Sequence, residues 1–295
     1  MIRSRLCQVA APLMSGVLFL SGCVTTAPLH LGEQTVSARA SQLTIVSRDT
    51  SRFPQPKGSV ALIHGLNNRV EALNNIAAGF RGRGFDSIQV TLPGHGDSKT
   101  LERPLEEWVS ATKAAFDMGR QLTDSGKLIV VGYSLGGVLA LLTVQEELAR
   151  PPDKIILIAP ALTLKFPEIL LNLAKLPIVN QLPIPSLTPR DDRRWCSVPA
   201  KWYGELRDAQ SLLDYQRLKD KKLSVSIVAA ADDEVVSLDQ LREIIKEYKL
   251  STDWVVHDIP EALLSSLTYK HHLINKKALG DAGWSTLLGL VCADL

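Results

Sequence analysis

The stretch Lys127-Leu-Ile-Val-Val-Gly-Tyr-Ser-Leu-Gly-Gly137 decides how the rest of the chain is read. Lys127 to Val131 is a short apolar run bounded by glycine, which reads as a buried strand. Leu135 to Leu148 is rich in Ala and Leu and reads as a helix. Gly132-Tyr133-Ser134-Leu135-Gly136 sits between them as G-x-S-x-G, a pattern that demands a sharp strand-to-helix turn. The turn lifts the serine hydroxyl above the sheet. Its glycines let neighbouring backbone pass without a side-chain clash. The helix N-terminus directs N–H groups and partial positive charge towards negative charge developing near the serine.

Working outward, the same rhythm repeats. Strands are expected at Ser59–Ile63, Ser87–Thr91 and Lys154–Ile158, at 223–229, and near Asp253–His257. Helices are expected at Glu71–Arg81, Leu105–Thr123 and Leu238–Tyr248, with a last one within 279–292. Apolar runs alternating with longer amphipathic stretches predict an α/β domain with a mainly parallel central sheet flanked by helices. Between 161 and 220 the rhythm breaks into leucines and prolines with no clear strand. A structureless connection that long is uncommon in a compact domain, so the insert reads as a helical cap.

The His64-Gly65-Leu66 and Leu92-Pro93-Gly94-His95-Gly96-Asp97-Ser98 loops, taken with G-x-S-x-G, resemble the α/β-hydrolase family, in its monoacylglycerol lipase and small carboxylesterase branch. The resemblance spans roughly residues 45–290 and implies the α/β-hydrolase fold and serine-hydrolase activity. A serine hydroxyl needs a base within hydrogen-bond reach, and the base needs an orienting carboxylate. In this family the order along the chain is Ser, acid, His. Ser134 is then the nucleophile. Asp233, followed by Val235-Val236, fits the acid's frame, with Asp232 as the alternative. His272, followed by Leu-Ile, takes the base position, with His271 as the alternative; His257 reads as a strand-end residue. The backbone N–H groups of Leu66 and Leu135 form the expected oxyanion hole. His64 and His95 read as structural. Cys, His and carboxylates show no ligand spacing, so neither a metal nor a cofactor is expected.

The insert carries the substrate clue. Leu162, Leu164, Phe166, Ile169, Leu170, Leu173 and Leu176 form an apolar stretch that reads either as a lid over an acyl pocket or as core packing. The expected substrate is a small acyl ester or lipid, lipid-like or medium-chain. The same triad would serve an acyltransferase or amidase, and a non-catalytic envelope lipoprotein is the further alternative. Arg190, Arg193 and Arg194 beside Asp191-Asp192 read as a solvated rim.

The N-terminus reads as an address. Arg3 and Arg5 precede an uncharged run, and Leu20-Ser21-Gly22-Cys23 resembles a bacterial lipobox. Residues 1–22 are then a lipoprotein signal peptide, Cys23 the lipidated residue, 23–42 a tether and 43–295 the hydrolase domain. Val24, with no Asp after the Cys, resembles the outer-membrane-directed pattern of Gram-negative lipoproteins. The chain carries 33 basic and 31 acidic residues, and loss of Arg3 and Arg5 leaves the two balanced. Membrane attachment is therefore expected through lipid, with no basic field for nucleic acid and a monomer as the default. Cys196 and Cys292 read equally as a disulfide or as two free thiols.

Overall fold

The computed structural model describes residues 55–96, 99–123, 126–293 and 295, together with the backbone of two earlier strands, Glu33–Val36 and Thr44–Asp49. The stretch read as a signal peptide (residues 1–22), Cys23 and the Asp97-Ser98 end of the second loop motif lie outside the described residues. In chain order the elements are β1 (Glu33–Val36), β2 (Thr44–Asp49), β3 (Gly58–Ile63), α1 (Asn74–Arg81), β4 (Phe85–Thr91), α2 (Pro104–Leu122), β5 (Lys127–Tyr133), α3 (Leu135–Gln145) and β6 (Lys154–Ile158). They continue with α4 (Glu168–Leu173), β7 (Pro183–Pro185), β8 (Ser197–Pro199), α5 (Lys201–Ser211), α6 (Tyr215–Asp220), β9 (Val225–Ala229), α7 (Leu238–Glu247), β10 (Trp254–Asp258) and α8 (Lys276–Val291).

One sheet runs β1-β2-β4-β3-β5-β6-β9-β10. The six strands from β4 to β10 are parallel, and β1 and β2 add an antiparallel edge. β1 falls inside the stretch read as a tether. The inner parallel strands β3, β5, β6 and β9 are mostly apolar and buried because both faces of the sheet are covered there. Alternate residues divide between two cores. Ala61, Ile63, Val130, Ile155 and Leu157 face α2 and α3, while Val60, Leu62, Ile129, Val131 and Ile156 face α1 and α8. Helix α3 is buried on every side from Leu135 to Val144, held between the sheet and helices α2, α5 and α6. That accounts for a run with no polar face.

The insert between β6 and β9 departs from the expectation of an all-helical cap. Besides α4, α5 and α6 it holds the antiparallel pair β7–β8, with Pro183 opposite Pro199. Proline lacks the ladder donor and tolerates only edge positions, so a two-stranded ribbon accommodates residues that a larger sheet would reject. The apolar stretch divides between the two readings. Leu162 and Leu171 are buried, whereas Ile169, Leu170, Leu173 and Leu176 are exposed and Ile178 is 90% exposed. Cys196 and Cys292 are not joined to each other in a disulfide.

A tight constraint lies where β5, α3 and β3 meet. A Cβ placed on Gly136 would lie 2.2 Å from the Ile63 carbonyl oxygen and 2.8 Å from that of His64, both rigid backbone. Gly136→Ala is therefore expected to cost about 3 kcal/mol, the upper end for overpacking. Gly289→Ala, on the exposed side of α8 with nothing within 4 Å, should instead gain about 0.5–1 kcal/mol from helix propensity. Urea unfolding of both variants checks this, and equal stability of Gly136→Ala and wild type would contradict it.

Candidate active site

Ser134 occupies the junction of β5 and α3 with φ 51° and ψ −116°, a backbone conformation that L-residues rarely adopt. Such a conformation costs about 1–3 kcal/mol and persists only where its surroundings impose it. Three backbone bonds do so here. Ser134 N–H donates to Ile158 O at 3.0 Å, and Ser134 O accepts from Gly137 N at 3.0 Å and Ala161 N at 3.1 Å. The turn is thus tied to the end of β6 on one side and to α3 on the other, leaving the hydroxyl at the C-terminal end of the sheet. The side chain remains largely enclosed, at 8% exposed.

Ser134 Oγ lies 3.0 Å from Nε2 of His271, and His271 Nδ1 lies 2.8 Å from Asp233 Oδ2. A carboxylate only accepts, so Nδ1 carries the proton and Nε2 accepts from the serine hydroxyl. Asp233 is held in turn. Its Oδ1 accepts from Val235 N at 2.8 Å and Val236 N at 2.9 Å, and it is 1% exposed. Asp232 instead pairs with Lys270 towards the surface.

The assignment of the base to His272 is corrected by this geometry. His272 Nε2 lies 3.2 Å from Leu187 O in the insert, and its Nδ1 lies 3.2 Å from Tyr133 Oη. A carbonyl accepts, so Nε2 carries the proton and both ring nitrogens are engaged away from Ser134. Burial, and then the neighbouring His271, lower the His272 pKa to about 4. Consecutive side chains leave the chain in different directions, so only one of two adjacent histidines can face the serine.

Two carboxylates beyond the triad hold these loops, and neither carried a sequence signal. Glu234 accepts the backbone N–H of Lys270 at 3.1 Å and of His271 at 3.3 Å, which fixes the base's backbone. Asp192, read as part of a solvated rim, accepts from Asn275 Nδ2 at 2.8 Å beside the start of α8. Burial raises its pKa.

The oxyanion loop is clamped from both sides. His64 Nδ1–H donates to Gly65 O at 2.8 Å, and its Nε2 accepts from Leu92 N at 3.1 Å. His95 accepts Asn67 N at 2.9 Å and stacks on Trp202. Asn67, at φ 59°, pairs its carboxamide with both backbone groups of Trp195. Among the described residues, no hydrogen bond is made by the backbone N–H of Leu66 or of Leu135, the first residue of α3.

A cavity of about 60 Å³ opens onto Ser134 and His271, walled by Leu66, Leu164, Phe166, Leu187, Tyr203 and Leu206 among others. Among the described residues, no Asp, Glu, Lys or Arg lines it. Among the described residues no group of three or more His, Cys, Asp or Glu is placed to hold a metal ion, and no helix is long and apolar enough to cross a membrane.

A model of the family described as serine aminopeptidase, S33, matches residues 54–263. No curated protein sequence matches the chain. Among solved structures, the fold is similar to a monoglyceride lipase from Saccharomyces cerevisiae at TM-score 0.69 and 14% identity, covering 88% of this chain and 92% of that one. A carboxyl esterase from Bacillus coagulans is similar at TM-score 0.68 and 12% identity, covering 90% and 100% of the two chains. A monoacylglycerol lipase from Paleococcus ferrophilus is similar at TM-score 0.65 and 17% identity, covering 84% and 98%. At these identities the likeness is one of fold.

The buried histidines give the fold a pH dependence of defined sign. In the unfolded chain an imidazole protonates near 6.5, whereas His64 and His272 in the fold do so only at about 4. His95 is lowered well below 6.5, chiefly by burial. Over this window the unfolded chain binds more protons, so stability falls as pH drops from about 6.5 towards 4. The slope is up to about 1.4 kcal/mol per pH unit for each histidine. Urea unfolding between pH 7 and 4.5 should show this loss, and His272→Gln should remove about one proton from the slope. An unchanged slope would contradict the assigned tautomer and burial.

Proposed function

Since the chain belongs to the serine aminopeptidase S33 family, we propose that it is a serine hydrolase of carboxylic esters with an apolar, lipid-like or medium-chain acyl group. The observation that carries this reading is the Ser134–His271–Asp233 hydrogen-bond chain opening into a cavity whose wall, among the described residues, holds no Asp, Glu, Lys or Arg. Recognition of a peptide's amino terminus calls for a buried carboxylate. The uncharged wall therefore favours an ester over the aminopeptidase substrate that the family's description names.

In this mechanism Ser134 attacks the ester carbonyl while His271 Nε2 takes its proton. Asp233 holds the imidazole in the tautomer that allows this and stabilises the cation that forms. The N–H groups of Leu66 and Leu135 meet the oxyanion. His271 then protonates the departing alcohol, and water repeats the sequence on the acyl-enzyme. The 60 Å³ cavity is well below the roughly 300 Å³ or more of ordinary ligand pockets. Longer acyl chains therefore require the exposed insert to shift.

The reading extends to location. Residues 1–22 act as a lipoprotein signal, and Cys23 carries the lipid that attaches the chain to the bacterial envelope. In a Gram-negative cell this is the periplasmic side of the outer membrane. Each buried acyl methylene adds about 0.8 kcal/mol, so several chains hold firmly without a basic surface.

A fluorophosphonate probe on the detergent-solubilised full chain tests the chemistry, followed by nitrophenyl esters of increasing acyl length. Labelling is expected in wild type and absent in Ser134→Ala. His271→Gln should lose turnover by about 10⁴-fold or more, and His272→Gln by no more than about 10-fold. Failure of the folded wild type to label would overturn the hydrolase reading. Cys23→Ser should leave the membrane fraction, and its retention there would overturn the anchor.

A further inference from the structure

A buried polar atom left without a partner costs more than a hydrogen bond contributes when made, so folded chains rarely tolerate one. Asn68 carries such an atom. Its residue is 2% exposed, and it lines the cavity that holds Ser134 and His271. Among the described residues its Nδ2 has no hydrogen-bond partner. The contrast with Asn67 is direct, since both ends of that carboxamide are satisfied by Trp195. The other buried orphans, Arg120 Nε and Trp202 Nε1, do not line the cavity.

The backbone places this donor beside the reacting centre. Asn68 N–H closes a turn onto Gly65 O at 3.2 Å, folding the residue back over the oxyanion loop. A Cβ placed on Gly65 would lie 2.8 Å from Asn68 Oδ1 and 3.0 Å from Ser134 Cβ. The carboxamide and the nucleophile thus flank the same glycine, and the next residue, Leu66, offers one of the two free N–H groups.

We propose that Asn68 Nδ2–H is a third donor to the oxyanion formed on the acyl carbonyl, an assignment that rests on reading the site as a serine hydrolase. As the Ser134 Oγ–carbon bond forms, the serine proton passes to His271 Nε2 and the carbonyl π pair moves onto oxygen. That oxygen takes hydrogen bonds from Leu66 N, Leu135 N and Asn68 Nδ2. When the pair returns, the bond to the alcohol oxygen breaks and His271 gives that oxygen its proton.

A hydroxyl on the leaving group is the competing acceptor. A charged acceptor bonds about twice as strongly as a neutral one, so a donor kept unpaired in the resting fold is best compensated where charge develops. A donor serving a leaving-group hydroxyl would act alike before and during the reaction and would appear in KM.

The test compares full-length wild type, Asn68→Ala and the near-isosteric Asn68→Asp on an ethyl and a glycerol ester of one fatty acid. It adds the affinity for a trifluoromethyl ketone of the same acyl chain, which forms an oxyanion on Ser134. The expected result is a fall in kcat of about 100-fold on both esters, with KM within about twofold and inhibitor affinity falling in parallel. Asn68→Asp should lose at least as much, and it carries the test if thermal melting shows that Asn68→Ala does not fold. Unchanged kcat in the Asn68 variants, with a wild type that labels with fluorophosphonate, would overturn the Asn68 assignment alone. So would a loss confined to KM on the glycerol ester, or a kcat loss without loss of inhibitor affinity. A wild type that neither labels nor turns over would overturn the hydrolase reading, and this assignment with it.

Discussion

Everything at the site depends on how closely β5 and α3 approach at Ser134. The strand turns into the helix so abruptly that a side chain on Gly132 would collide with Gly136 O and Gly137 Cα, each 2.6 Å away. A side chain on Gly136 would collide with the end of β3. The serine between them accepts a strained backbone because its own N–H and C=O are spoken for by β6 and its flank. The strain is offset by the buried, apolar α3 and the parallel strands that grip it. From this one contact follow the placement of the hydroxyl at the C-terminal end of the sheet, the free N–H of Leu135 and the proximity of the Gly65-Leu66 backbone.

The loops around the serine are positioned by polar side chains that do no chemistry. His95 and His64 are buried, uncharged connectors that hold the oxyanion loop to the loop after β4. Asn67 joins the same loop to Trp195 of the insert, and Arg194 Nε adds a bond to Gly96 O at 2.6 Å. On the other side Tyr133, His272 and Leu187 O link the turn, the base's loop and the insert. The insert therefore contacts both the oxyanion loop and the base loop, and its movement bears on both.

The sequence carried the architecture clearly, because apolar runs broken by glycine and proline report burial directly. Ser134 was legible from five residues, and Asp233 from its frame relative to Val235-Val236. The edge strands β1 and β2 were not anticipated, since β1 falls in a polar stretch with little apolar pattern. The ribbon β7–β8 was hidden by its prolines. The base was assigned to the wrong member of an adjacent pair. Composition is blind to which of His271 and His272 faces the serine; the loop's hydrogen bonds to Glu234 and Tyr269 decide it. Glu234 and Asn67 left no signal because their roles arise from contacts 37 and 128 positions apart along the chain.

The central claim is that His271, held by Asp233, is the group that exchanges a proton with Ser134. Proton NMR of the chain labelled with ¹⁵N-histidine tests it most directly, before and after phosphonylation of Ser134. One imidazole should gain its second proton in the adduct, with a downfield Nδ1–H resonance that disappears in His271→Gln and Asp233→Asn and persists in His272→Gln. A resonance that instead disappears in His272→Gln and survives in His271→Gln would contradict the account.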